Sequence, residues 1–312
     1  MEEWITMLYQ FLDGKRKSAL LYGLTPPKKS STKERILEIS QTQLDRLKGT
    51  PIDGVILYDL QDEASRTKKE RPFPFLETID PLEYASEYLN RLNKPFIIYK
   101  AVGKCSNEEV KEWLQARDNG TNLSVFVGAA SKMQTIKTSL PQAYSLYKNS
   151  SSKMRLGGVA IAERHVVKQD EDLRVIRKIE DGCSFFITQA VYDYEATKSF
   201  LMDYKKSISK SNLPTAPMIF TLTPCGSIKT LEFMEWLGIH IPKEVKNRLI
   251  NSPKMLEESM NYLISLFKKI TILAKELNIP IGVNIESVAI RKEEIEASIK
   301  LIYEIENILR DV

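Results

Sequence analysis

The chain has 312 residues, and 45 Lys+Arg against 41 Asp+Glu leave a formal charge of +4 with both signs mixed throughout, which does not mark a nucleic-acid surface. Its two histidines and three cysteines lie far apart with no Cys-x-x-Cys, which excludes a Cys/His zinc site and suits a reducing, cytoplasmic setting. The opening MEEWITMLYQFLDGK is acidic and lacks the apolar run of a signal peptide, and no stretch approaches the ~20 apolar residues that span a bilayer. Residues 1–17 read as a helical extension.

Short apolar runs then alternate with helical patterns. Ser18–Leu24 is a first strand, stopped by Pro26-Pro27, which cannot continue a ladder. Thr32–Lys48 places Ile36, Ile39, Leu44 and Leu47 on one helical stripe. Ile52–Tyr58 is a second strand, and Pro81–Leu92 a helix with proline in its first turn. Pro95–Val102 is a third strand, and Ser106 with Glu109 forms a capping-box signature that opens a helix through Ala116. Leu123–Gly128 is a fourth strand, followed by a helix over Leu140–Tyr147. The fifth unit pairs Arg155–Ala162 with Asp172–Glu180, the sixth Cys183–Val191 with Tyr194–Ser207, and the seventh Ala216–Leu222 with Ile228–Leu237. A long amphipathic helix covers Lys254–Leu277. Ile279–Ile285 is the eighth strand, closed by Lys292–Leu309.

Mostly continuous apolar strands between helices imply a parallel sheet covered by helices. Eight such units in this length predict an α/β fold, a single (β/α)8 TIM barrel over residues 1–312. A doubly wound open sheet is the competitor, but no G-x-G-x-x-G follows the first strand.

Barrel chemistry sits where strands end. At the end of the fifth, Glu163 and His165 share a face if the extended period of two continues; a solvated loop pair is the alternative. The sixth carries Thr188-Gln189 in an apolar run, and a buried amide needs partners from the protein or from a ligand. Tyr192 follows in the strand-to-helix loop, where Asp193 reads as a helix N-cap. Glu286, ending the eighth strand, is an acid, base or hydrogen-bonding carboxylate in the mouth, or else a cap for the last helix. Cys225 reads as an incidental small residue. The run Arg66–Arg71 is a solvated loop or an attractor for an anion such as a phosphate or polyglutamate tail.

These segments resemble the methylenetetrahydrofolate reductase family. The best stretch runs from Gly157-Gly158 through Glu163-Arg164-His165 and Lys178-Ile179-Glu180-Asp181-Gly182 to Ile187-Thr188-Gln189 and Tyr192-Asp193. Pro217–Thr223 with the later Ile241-Pro242, Pro26-Pro27-Lys28, and the weaker echo Arg66-Thr67 add to it. The resemblance implies a barrel enzyme that moves a hydride from NADH or NADPH through FAD to methylenetetrahydrofolate. It places Gln189 and Tyr192 at the folate, and Tyr144, Glu163, His165 and Lys178 at the flavin, the lysine near its phosphates.

Two departures stand out. The family's first strand ends in a glutamate that acts as general acid, and this frame has Gly23; after the fourth strand, its Arg-Gly-Asp becomes Val127-Gly128-Ala129. A glycine donates no proton, so Glu286 is the expected substitute. The first reading is therefore a divergent folate reductase. The alternatives are a folate-binding one-carbon enzyme without flavin redox chemistry, and a non-catalytic barrel subunit. The expected partner is a small folate, with neither nucleic acid nor membrane, and the chain is compatible with a homo-oligomer.

Overall fold

The computed structural model describes residues 3–63, 67, 69–129 and 135–310. Eight parallel strands close into a barrel in sequence order: β1 Ser18–Leu24, β2 Gly54–Leu57, β3 Phe96–Ala101, β4 Leu123–Val127, β5 Arg155–Ala160, β6 Cys183–Ala190, β7 Met218–Leu222 and β8 Ile281–Glu286. β8 returns to pair with β1, with Gly23 beside Glu286 in the register. The fold is the expected TIM barrel, and the open-sheet competitor falls with that closure.

The helices follow the same order. α1 spans Glu3–Leu12, α2 Lys33–Leu47, α3 Pro81–Glu83, α4 Asn107–Ala116, α5 Leu140–Lys148, α6 Ala162–Lys168 and α7 Glu171–Glu180. α8 spans Tyr194–Lys210, α9 Ile228–Trp236, α10 Lys243–Asn251, α11 Met255–Leu277 and α12 Lys292–Arg310. The capping box at Ser106 and Glu109 forms as expected. The single helix expected over residues 81–92 is instead α3 followed by a π-type turn and a 3-10 turn, ended by Asn93 in the left-handed region.

Two apolar clusters divide the interior. Ala19, Leu21, Ile56, Ile97, Val125, Phe185, Ile187 and Ile219 fill the barrel, while a larger cluster fills the layer between sheet and helices. Leu8 and Phe11 of α1 belong to the barrel cluster and are fully buried. α1 therefore packs as a plug at the end where the strands begin. Tyr9 Oη donates to Thr121 O at 2.6 Å, and Arg155 pairs with Asp13 at 2.6 Å, which latches that plug to β4 and β5.

Glycines at β5 admit two rings from β6. A Cβ on Gly157 would lie 2.4 Å from the Phe185 ring on the barrel side, and one on Gly158 2.8 Å from the Phe186 ring on the helix side. Such distances are far inside van der Waals contact. The β6–β7 register then slips between Ile187 and Ala190. Thr188 and Thr221 bridge the slip with two hydrogen bonds, of 3.0 and 2.8 Å. Irregularities of this kind re-aim the side chains beside them, and here that side chain is Gln189.

Candidate active site

Strand alternation brings Glu286, Asn284 and Gln189 to the inner rim at the strands' C-terminal ends. Asn284 is fully buried; its Nδ2 donates to Tyr58 Oη at 2.8 Å and Thr221 Oγ1 at 3.2 Å, while its Oδ1 has no partner. Glu286 faces inward. Burial raises its affinity for a proton, and the polar side chains of Tyr58 and Asn284 partly oppose that. The helix-capping alternative for Glu286 is thus excluded; the carboxylate that meets a backbone amide near α12 is Glu294, which accepts from Gly226 N at 2.7 Å.

Across the rim, a cleft of about 380 Å³ is lined by Ile161, Glu163, Val166, Val167, Gln189, Asp193 and His240, among others. Gln189 lines this cleft, and its Nε2 donates to Leu237 O at 3.0 Å. Both Glu163 oxygens are buried without a partner outside their own residue. Burial, with repulsion from Asp193 and Glu171, pushes the Glu163 carboxyl up to about 7 against a backbone hydrogen bond that lowers it. His240 approaches Asp193 at 3.5 Å, and Asp193 caps α8 through Ala196 N at 3.0 Å as expected.

The described residues just after β2 tie to neighbouring segments: Asp59 accepts from Ala101 N and Lys104 Nζ, each at 2.7 Å, and Gln61 donates to Gly128 O at 2.9 Å. Further along, Arg71 stacks on Phe75, Phe233 and Trp236, and Trp236 Nε1 donates to Lys69 O at 3.0 Å. Arg71 is therefore packed against the aromatic faces of Phe75 and of Phe233 and Trp236 on α9. Arg66 lies outside the described residues.

The remaining expected contacts lie elsewhere. β5 ends at Ala160 and α6 begins at Ala162, so Glu163 and His165 follow a helical, not an extended, period. His165 is buried between α6 and α8, its Nε2 3.0 Å from Asp203 and its Nδ1 3.6 Å from Asp172. Lys178 lies on the helix side of β5, donating to Val159 O, and burial lowers its proton affinity. Tyr144 stacks on Phe126 in the same layer, its phenol directed at the Cys183 thiol. Tyr192 is fully buried beneath β7, donating to Thr223 O at 2.7 Å and stacked on Tyr262 of α11.

Only Glu163 of the four expected flavin contacts therefore reaches the rim. Tyr144, His165 and Lys178 enclose no common space, and this arrangement does not fit a flavin held by that set. Cys225 is buried with its thiol pushed up to about 12 by burial, which removes it as a nucleophile. Sequence reasoning missed Tyr58, which reads as the last residue of an ordinary strand. The signal that would have found it is the glycine at position 23 on the neighbouring strand.

The closed parallel barrel thus carries carboxylates and an amide on its C-terminal rim, the end where barrels of this class place their ligand sites. The family model for methylenetetrahydrofolate reductase matches residues 159–301. A solved structure of an uncharacterised protein from Clostridium thermocellum, which binds two copies of 5-methyl-5,6,7,8-tetrahydrofolic acid, is 45% identical over 97% of this chain and 99% of that one, with a TM-score of 0.85. The chain belongs to the methylenetetrahydrofolate reductase family. Dihydropteroate synthase from Thermus thermophilus is a remote neighbour, 11% identical over 96% of this chain and 95% of that one with a TM-score of 0.45, too distant to carry an argument. No curated protein sequence matches the chain. No helix among the described residues is long and apolar enough to cross a membrane, and no group of three or more metal-ligating side chains gathers there.

Proposed function

We propose that this protein binds a reduced folate at the C-terminal rim and acts on its one-carbon unit without a resident flavin. One observation carries the reading: Gln189 and Glu163 line the same partly apolar cleft, and the buried Glu163 oxygens have no partner outside their own residue. A pterin offers adjacent ring N–H and amino donors, which suit a carboxylate beside a carbonyl oxygen. Val166 and Val167 supply the apolar wall for the rest of the ligand. The 45% identical relative that binds methyltetrahydrofolate supports the same ligand class. Glu163 is thereby reassigned from the flavin to the folate, and Tyr192 has a packing role.

Calorimetry with 5-methyltetrahydrofolate tests this. The wild type is expected to bind, and Gln189→Ala to bind at least tenfold more weakly, the size of one lost hydrogen bond to a buried partner. Unchanged affinity in Gln189→Ala removes the assignment.

Glu286 favours a redox version of this reading, because a carboxyl at the mouth whose proton affinity burial raises suits general acid catalysis. A hydride would pass from NADH or NADPH to the methylene carbon while Glu286 supplies the proton to the folate nitrogen. NAD(P)H oxidation that requires methylenetetrahydrofolate, and that fails in Glu286→Gln, would establish it. No such oxidation at any pH leaves folate binding with non-redox one-carbon chemistry.

A further inference from the structure

The corner that ends α9 brings a second residue to the cleft besides the carbonyl that holds Gln189. The helix closes as a Schellman turn: Gly238 N donates to Glu235 O and Ile239 N to Met234 O, each at 3.0 Å, with Gly238 at a φ of 80°. Glycine takes that left-handed conformation without strain. Leu237 O, in the same corner, accepts from Gln189 Nε2. Ile239 and Ile241 then turn inward and are buried, which leaves His240 between them on the outside, where it lines the cleft.

His240 has one fixed neighbour. Its Nε2 lies 3.5 Å from Asp193 Oδ2, and Asp193 is itself held as the cap of α8, its Oδ1 accepting from Ala196 N at 3.0 Å. The His240 side chain is 59% exposed, so its ring remains open to a ligand. The cleft's other basic side chain, Arg164, is turned to the buried Glu171, 3.4 Å away. Glu163 and Asp193 bring carboxyl groups to the cleft and no cation. Elsewhere the protein builds the complete form of this arrangement: His165 lies between Asp203 at 3.0 Å and Asp172 at 3.6 Å. At His240 the first carboxylate is in place, and the ring's Nδ1 has no hydrogen bond among the described residues.

We propose that His240, backed by Asp193, is the specificity-determining contact for a carboxylate on the tail of the ligand. The proposal rests on the folate reading, since a reduced folate ends in a glutamate whose two carboxylates lie at the far end of the molecule from the pterin. With the pterin against Gln189 and Glu163, the tail leaves by the exposed side of the cleft, where His240 stands. Between Asp193 and a ligand carboxylate both ring nitrogens act as donors, which makes the contact charge-assisted. Asp193 is the positioning residue, tying the ring to the start of α8.

Calorimetry that compares 5-methyltetrahydrofolate with its bis-amide tests this, because the bis-amide keeps the length of the tail and removes both negative charges. The wild type is expected to bind the bis-amide about fivefold more weakly, the scale of one charge-assisted contact at a half-exposed site. His240→Ala is expected to bind the parent about fivefold more weakly, yet to bind the bis-amide as the wild type does, so that the two losses do not add. A merely structural role for His240 weakens both ligands alike, and that result overturns the proposal. A wild type that binds both ligands equally also overturns it and leaves the folate reading standing. A wild type that binds neither removes the folate reading, and the proposal with it. Should His240→Ala fail to fold, His240→Gln, which keeps much of the bulk and carries no charge, gives the same readout.

Discussion

Glu163 and His165 are two residues apart, yet they face opposite sides of α6. A helix advances about 100° per residue, so this spacing turns them about 200° from one another. Glu163 faces the cleft, and His165 faces Asp203, Asp172 and the edge of Phe200.

That division predicts what His165→Ala does. Loss of a buried ring and its carboxylate contacts should cost about 2–3 kcal/mol of stability, seen as a lower urea midpoint. Affinity for 5-methyltetrahydrofolate should stay within twofold of wild type. A tenfold loss of affinity in a folded variant would return His165 to the ligand.

Glu163 should instead make stability depend on pH. Its folded carboxyl titrates at about 7, above the unfolded value of 4.5. The folded state therefore binds the extra proton, so its contribution is fully present below pH 4.5 and is lost as pH rises through 7. Relative to Glu163→Gln, the wild type should lose up to about 3 kcal/mol across that window. Denaturation series of both proteins at several pH values check this, and parallel curves would refute it.

Tyr192→Phe is a third test. It leaves Thr223 O and Ser259 Oγ without their buried phenol partner. The expected cost is about 1–2 kcal/mol, with folate binding unchanged in calorimetry.

The plug gives a fourth. Phe11→Ala would open a cavity at the barrel floor and should cost about 3–5 kcal/mol. A thermal transition within a degree of wild type would show that α1 leaves the floor when the protein is in solution.

Much of this was legible because strand and helix patterns are local. Pro26-Pro27, the Ser106–Glu109 capping box and the β-branched runs each specify a short element, and eight such units imply closure. Helix α6 was not legible: it is seven residues long and its N-cap Ile161 makes no side-chain cap, so Glu163 and His165 read as strand residues. α10 was likewise missed, with Pro242 at its N-cap and no side-chain cap. At the rim, Glu286 and Gln189 could be singled out because a polar residue at the end of an apolar strand is conspicuous. Tyr58 was not, because its partners come from β1 and β8, far along the chain. His165, Lys178 and Tyr144 were misplaced because a motif preserves spacing without saying which side of the sheet a residue faces.

Gly157 and Gly158 make room for Phe185 and Phe186, one ring on each side of the wall. The segment that most strongly announces kinship thus answers to shape, since it is where two strands lock. The lock is independent of whatever chemistry the rim performs, because a ring without its hollow would breach the barrel itself. Descent is then recorded in the masonry, and the reaction must be sought at the rim.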